Sequence, residues 1–96
     1  MTIDKNLNGS KLTIAVGGRL DTTTSTELEA QLDLNGITDL TFDMKELDYV
    51  SSAGLRLLLK AQKQMNTQGD MRLVNVNDIV MEVFEVTGFS SILKVE

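Results

Sequence analysis

Residues 40–59 read LTFDMKELDYVSSAGLRLLL, and this stretch decides the fold. An apolar, strand-like segment runs through a short acidic loop to Ser51 and Ser52, and an apolar helical pattern follows at once. We expect Ser52 to be the N-cap of this helix, with its side-chain oxygen facing the unpaired amide groups of the first turn. Those groups and the helix dipole favour negative charge, so a phosphate on Ser52 would change the surface charge without opposing the fold.

The segment before this stretch predicts an antiparallel hairpin. Strands are expected over residues 3–7 and 11–16, and Asn8-Gly9 between them favours a type I′ turn. The second strand alternates apolar with other positions, which predicts one buried face. Gly17 and Gly18 end it, and we interpret them as a bulge or a close backbone contact, because no phosphate-loop spacing follows.

A short helix is then expected, introduced by residues 22–24 and ended by Asn35-Gly36. Thr24 and Glu27 have the spacing of a capping box. A strand over residues 38–43 leads from this helix into the serine turn.

The second helix should be the longest, over roughly residues 53–67, with Gly69 after it as the stop. Its inward positions follow the i, i+3, i+4, i+7 spacing of an amphipathic helix: Leu55, Leu58, Leu59, Gln62 and Met65. The positions expected to face water are Arg56, Lys60, Lys63 and Gln64.

The last third predicts a strand over residues 71–76, a helix capped by Asn77 and closed by Gly88, and a final strand over 91–95. A hairpin followed by alternating helices and strands indicates the α/β class, because parallel neighbours need crossover connections. We therefore predict a single domain over residues 1–96, with a mixed, mostly parallel sheet covered by helices.

Composition narrows the function. The net charge is −5 and no basic run exists to follow a phosphate backbone, so we expect no nucleic-acid partner. The chain has no histidine or cysteine, which removes the commonest general base, the thiol nucleophile and most zinc ligand sets. We expect no catalytic residue, no metal, no cofactor and no enzymatic activity.

Localisation is expected to be cytoplasmic, because the absence of cysteine agrees with a reducing compartment. The apolar clusters are too short to span a bilayer and the first residues show no signal-peptide pattern, so no membrane insertion is expected. We expect a monomer.

Residues 49–59, YVSSAGLRLLL, resemble the signature of the STAS domains, the bacterial anti-sigma factor antagonists (anti-anti-sigma factors). Members of that family typically read DSSGL or DSTGL there, and a partner kinase phosphorylates the serine after the aspartate. Ser52 takes the place of that serine, and Ser51 stands where the family has its acidic residue. GGRLD at 17–21 is similar to the family's GELD segment, and VTGFSSIL at 86–93 to its C-terminal pattern. The stretch over residues 32–38 is shorter than the family usually has.

The resemblance implies a protein that binds an anti-sigma factor with serine kinase activity and thereby frees a sigma factor. It implies Ser52 as the phosphorylation site, with Ser51 as the fallback, and admits a serine phosphatase as a further partner. The partner-binding residues it implies are Asp21, Thr22, Thr23, Ser51, Ser52, Ala53 and Gly54.

Several alternatives stay open. Ser52 can be a plain helix cap, and Asp21 can be a cap or turn residue rather than a partner contact. Met44, Leu47, Tyr49 and Val50 form either an exposed apolar rim or an anchor for the serine turn. The whole chain can instead be a constitutive STAS subunit that docks on a membrane transporter ATPase without a phosphoswitch. A nucleotide hydrolase is the enzymatic alternative, but the chain has no phosphate loop.

Overall fold

The computed structural model describes all residues from Met1 to Glu96 and contains one four-stranded sheet in the order β1-β2-β3-β4. β1 and β2 are antiparallel, whereas β2–β3 and β3–β4 are parallel, so the predicted mixed α/β architecture is confirmed. The strands are β1 (Thr2–Asn8), β2 (Lys11–Leu20), β3 (Asp39–Val50) and β4 (Asp70–Val74). The helices are α1 (Thr22–Gln31), α2 (Ser52–Met65) and α3 (Asp78–Thr87), followed by a 3-10 turn at Phe89–Ser91.

The hairpin is confirmed, but its turn lies one residue later than predicted. Asn8 pairs with Lys11, so the two central residues are Gly9 and Ser10. Gly9 has a φ of 64°, and Ser10 is not among the residues with positive φ. Positive φ at the first central position alone is the pattern of a type II′ turn, which a glycine at that position favours over type I′.

β3 is twice as long as predicted, and the expected acidic loop before the serines is wrong. The strand continues to Val50 through two register shifts, one between Ala15 and Gly17 of β2 and one between Gly18 and Arg19. Each shift adds one residue to β3, so buried side chains recur at every third position, Met44, Leu47 and Val50, rather than every second. Gly18, with a φ of 88°, lies at the second shift, in agreement with the bulge predicted for the glycine pair.

α2 packs on the sheet with the side that its sequence predicted, with one exception. Leu58 is fully buried, and Leu55, Gln62 and Met65 are buried as expected. Leu59, which was predicted to face inward, is only half-buried, and Leu57, for which no side was predicted, is buried. The helix ends at Met65, before Gly69, whose backbone lies too close to the Thr38 carbonyl to admit a side chain.

The C-terminal part keeps its predicted helix and loses its predicted strand. Asn77 Oδ1 accepts the Val80 N–H at 2.9 Å, and Gly88 closes α3 with a φ of 79°, as expected. Residues 91–95 form no ladder; the chain makes a 3-10 turn and then a single parallel bridge between Val95 and Leu73. Only Leu93 of this segment is buried, so little apolar burial supports a longer strand there.

Candidate functional site

The site lies at the carboxyl ends of β2 and β3, where two helices begin side by side. Leu20 and Val50 are the last residues of these parallel strands and are neighbours in the ladder. The Ser51 N–H continues the pairing by donating to the Leu20 carbonyl at 2.8 Å. Asp21 and Ser51 follow directly and are the N-caps of α1 and α2. The fold therefore brings residues 21–23 next to residues 51–54, the two segments that the family resemblance implied as one partner-binding surface.

Ser51, not Ser52, caps α2, so the predicted capping role of Ser52 is wrong by one residue. Ser51 has an extended backbone (φ −92°, ψ 175°), and its Oγ accepts the Gly54 N–H at 3.3 Å. Ser52 is the first helical residue, and its side chain is exposed and makes no hydrogen bond within the chain. The buried Val50 ends the strand and thereby determines the residue at which the helix begins. Ser51 is left in the extended conformation that an N-cap needs.

The two serines should therefore respond differently to the same substitution. We expect Ser51→Ala to lower the free energy of unfolding by about 1 kcal/mol, because the Gly54 N–H loses its acceptor. Ser52→Ala should leave it within about 0.5 kcal/mol of the wild type, since an exposed serine without a partner is removed. Urea denaturation of the three proteins measures both values. Equal midpoints for the two variants would contradict the assignment of the cap.

Asp21 caps α1 through a reciprocal pair with Thr24. The carboxylate accepts the N–H groups of Thr23 (3.1 Å) and Thr24 (3.0 Å), while Thr24 Oγ1 accepts the Asp21 N–H at 2.8 Å. The Thr24 N–H is the main reason that the pKa of the Asp21 carboxyl lies below its ordinary value, against partial desolvation, with smaller contributions from the Thr24 hydroxyl, the Thr23 N–H and Arg19. The capping box is thus Asp21–Thr24, and the predicted Thr24–Glu27 pairing is wrong because the helix begins earlier, at Thr22.

Gly54 lies beneath this surface and sets how closely α2 approaches the strand ends. A Cβ on Gly54 would lie 2.7 Å from Leu20 Cγ and 2.9 Å from Val50 Cγ2, closer than packing permits. The glycine is therefore required by the contact between α2 and the sheet. Ala53 is half-buried beside it and lines a shallow groove of about 270 Å³ between α1 and α2.

A stack between Arg19 and Tyr49 at the same edge was not predicted. The Arg19 guanidinium stacks over the Tyr49 ring at 4.2 Å from its centroid, and Arg19 Nε lies 3.9 Å from Asp21 Oδ2. Tyr49 is 39% exposed, whereas Met44, Leu47 and Val50 are buried, so three of the four residues are anchors and one is at the surface. Only the register of the bulged strands pairs Arg19 with Tyr49, and the sequence does not show that register.

Two further observations concern a metal site and a membrane-spanning helix. No group of three or more acidic side chains is arranged to hold a metal ion. None of the helices combines the length and the apolar character needed to cross a membrane.

The mixed sheet, the paired helix N-termini and the SSAGL turn together define an α/β domain of the STAS type. The family model described as the STAS domain matches residues 2–96, and the chain belongs to this family.

Two relatives of the chain are named as anti-sigma factor antagonists. BtrV of Bordetella bronchiseptica, assigned as an anti-sigma factor antagonist, is 46% identical over 70 residues, which make up 72% of this chain and 60% of BtrV. The chain thus spans less than two thirds of that relative. An anti-sigma-B factor antagonist of Staphylococcus aureus is 30% identical over 86 residues, 85% of this chain and 80% of the relative.

The fold is shared with the anti-sigma factor antagonist SpoIIAA. Its unphosphorylated form superposes with a TM-score of 0.77 at 16% identity, over 99% of this chain and 87% of SpoIIAA. The phosphorylated form of the Bacillus protein gives the same TM-score at 17% identity, over 99% and 91%.

Proposed function

We propose that this chain is an anti-sigma factor antagonist, which binds an anti-sigma factor and thereby frees a sigma factor for transcription. The names of its relatives support the class. The observation that carries the proposal is the exposed, unbonded Ser52 hydroxyl at the first residue of α2, beside the N-terminus of α1. The contact surface would comprise residues 21–23 and 51–53, with Gly54 supporting it from below.

The partner would be an anti-sigma factor with serine kinase activity. It would supply ATP and magnesium, and Ser52 Oγ would attack the terminal phosphorus. The hydroxyl proton would pass to a base of the kinase, the bond to the ADP oxygen would break, and ADP would leave. The structure favours Ser52 over Ser51 as the acceptor, because the Ser51 hydroxyl accepts a hydrogen bond from the Gly54 N–H and Ser52 is free and exposed.

The phosphate would act as a local switch. It would add about −1.5 to −2 charges at neutral pH to the contact surface, and repulsion and desolvation there would weaken the complex without refolding. A serine phosphatase would reverse the step. SpoIIAA is a relative in fold that has been solved in both its phosphorylated and unphosphorylated forms.

Phosphate incorporation tests the acceptor directly. With the kinase purified from the same host, ATP and magnesium, we expect one phosphate on the wild type and on Ser51→Ala, and none on Ser52→Ala. Intact-mass measurement gives the stoichiometry and fragmentation locates the group. Equal labelling of wild type and Ser52→Ala would exclude Ser52, and labelling lost only in Ser51→Ala would move the site by one residue.

One observation favours a second function, a constitutive STAS subunit that docks the same surface on a membrane transporter ATPase. Ser51 stands where the family's phosphorylated members have an acidic residue. Under this alternative the protein purified from its host carries no phosphate at Ser52 or Ser51.

A further inference from the structure

The outward face of α2 begins with Ser52 and continues with basic side chains. Arg56 and Lys60 follow Ser52 at four-residue spacing, Lys63 lies one turn further on, and all four are exposed. Residues at i and i+4 are neighbours on a helix surface, with Cβ atoms about 5–6 Å apart. α2 contains no acidic residue, although the chain as a whole has a net charge of −5. The basic face of α2 (Arg56, Lys60, Lys63) is therefore a local exception to the charge of the protein.

Arg56 has no internal partner. It takes part in none of the three ion pairs and in no side-chain hydrogen bond. The acidic residue that shares its groove, Glu29 of α1, accepts a hydrogen bond from Lys60 at 2.8 Å. Asp21, at the neighbouring helix start, is held by the amides of α1 and lies near Arg19. No carboxylate of the chain therefore competes for the Arg56 guanidinium.

We propose that Arg56 is the internal counter-charge of a phosphate on Ser52, a step of regulation that rests on the proposed phosphorylation. From position i+4 the planar guanidinium can reach the phosphate oxygens and donate two parallel hydrogen bonds. The first-turn amides that Ser51 does not use lie at the same helix N-terminus and add to the attraction.

This contact extends the effect of the phosphate beyond its own charge. In the unphosphorylated form Arg56 is free, and it offers a positive charge one turn from Ser52 to an acidic partner. In the phosphorylated form the guanidinium is paired with the phosphate. The partner then meets added negative charge and also loses the Arg56 contact, so a single modification changes two adjacent positions of the surface.

A titration of the phosphate tests the contact without any partner protein. Phosphoserine is incorporated at position 52 during translation, and the phosphorus NMR shift is followed with pH. The pKa of the phosphate should lie below the ordinary value of about 6. Arg56→Gln should raise the pKa of the phosphate by about 0.3 of a unit, as expected for an exposed i, i+4 pair. Arg56→Lys keeps the positive charge but not the planar guanidinium with its two parallel donors, and it should give an intermediate pKa of the phosphate.

Lys63→Gln is the matched control, because it removes the same charge from the same face. Position 63 lies eleven residues from Ser52, roughly 16 Å along the helix axis, beyond the screening length at physiological salt. Lys63→Gln should therefore leave the titration of the phosphate unchanged. Identical titrations of the wild type and Arg56→Gln would overturn the proposal, and an equal effect of Lys63→Gln would show general charge rather than contact. Because the phosphoserine is incorporated during translation, either result is independent of whether a kinase modifies Ser52.

Discussion

Leu58→Asp should remove most of the stability of the domain. Leu58 is fully buried in the centre of α2, within a cluster of 22 buried apolar residues. An aspartate there must either be buried with its charge or force α2 away from the sheet, and we expect a loss of at least about 4 kcal/mol. Because domains of this size are stable by only about 5–15 kcal/mol, the variant should be largely unfolded at low urea concentrations. Urea denaturation followed by circular dichroism measures the loss.

Two further variants make the result specific to the buried position. Leu58→Ala keeps an apolar side chain and should cost about 3 kcal/mol, enough to shift the midpoint while the protein still folds. Ile79→Asp makes the same kind of change at the start of α3, at a residue that is 68% exposed, and should stay within about 0.5 kcal/mol of the wild type. An unchanged midpoint for Leu58→Asp would mean that this side of α2 does not face the core.

The elements with regular periodicity were predictable from the sequence, and the irregular ones were not. Spacing along α2 gave its buried side, and the capping of α3 by Asn77 and Gly88 was correct. β3 was predicted too short because two bulges replace the two-residue alternation of buried positions after Met44 with a three-residue one. The three-residue spacing depends on pairing with β2, which is a contact between distant parts of the chain. Local patterns contain no information about it.

The same reason explains what was missed at the site. The family resemblance implied that the two segments of the site lie together, and in the structure they follow the ends of neighbouring parallel strands at one edge of the sheet. The sequence could not decide which of two adjacent serines caps α2, since serine suits an N-cap at either position and the two choices differ by one residue in where the helix begins. The residue at which the helix begins is set by the burial of Val50. The Arg19–Tyr49 stack likewise depends on the bulged register.

The structure changes the interpretation of the Ser52 hydroxyl as well as the place of Ser52 in the helix. An N-cap serine uses its side-chain oxygen to accept a helix amide, as Ser51 does for the Gly54 N–H, whereas the Ser52 hydroxyl has no partner within the chain. Ser51 therefore holds the helix, and the Ser52 hydroxyl is free for the proposed contact with a partner. Charge at position 52 should therefore affect binding and stability independently.

Ser52→Asp should weaken binding to the anti-sigma factor about tenfold, which corresponds to about 1.4 kcal/mol, while the melting temperature stays nearly unchanged. The first turn of α2 contains no acidic residue, so an aspartate there is favoured by the helix dipole and does not destabilise the fold. At the interface the same carboxylate is repelled or desolvated. Aspartate carries less charge than phosphate, so the loss of affinity should be smaller than that caused by phosphorylation.

Ser52→Asn is the control that separates charge from size, because asparagine has the shape of aspartate without its charge. It should bind within about twofold of the wild type, since a neutral change at an interface rim contributes little. Calorimetric titration of the three proteins against the purified anti-sigma factor, with a melting curve for each, gives both quantities. Equal weakening by Asn and Asp would indicate a steric contact at position 52. Unaltered affinity in both would place the binding surface elsewhere and leave Ser52 as an exposed residue of the first turn of α2 with no part in binding.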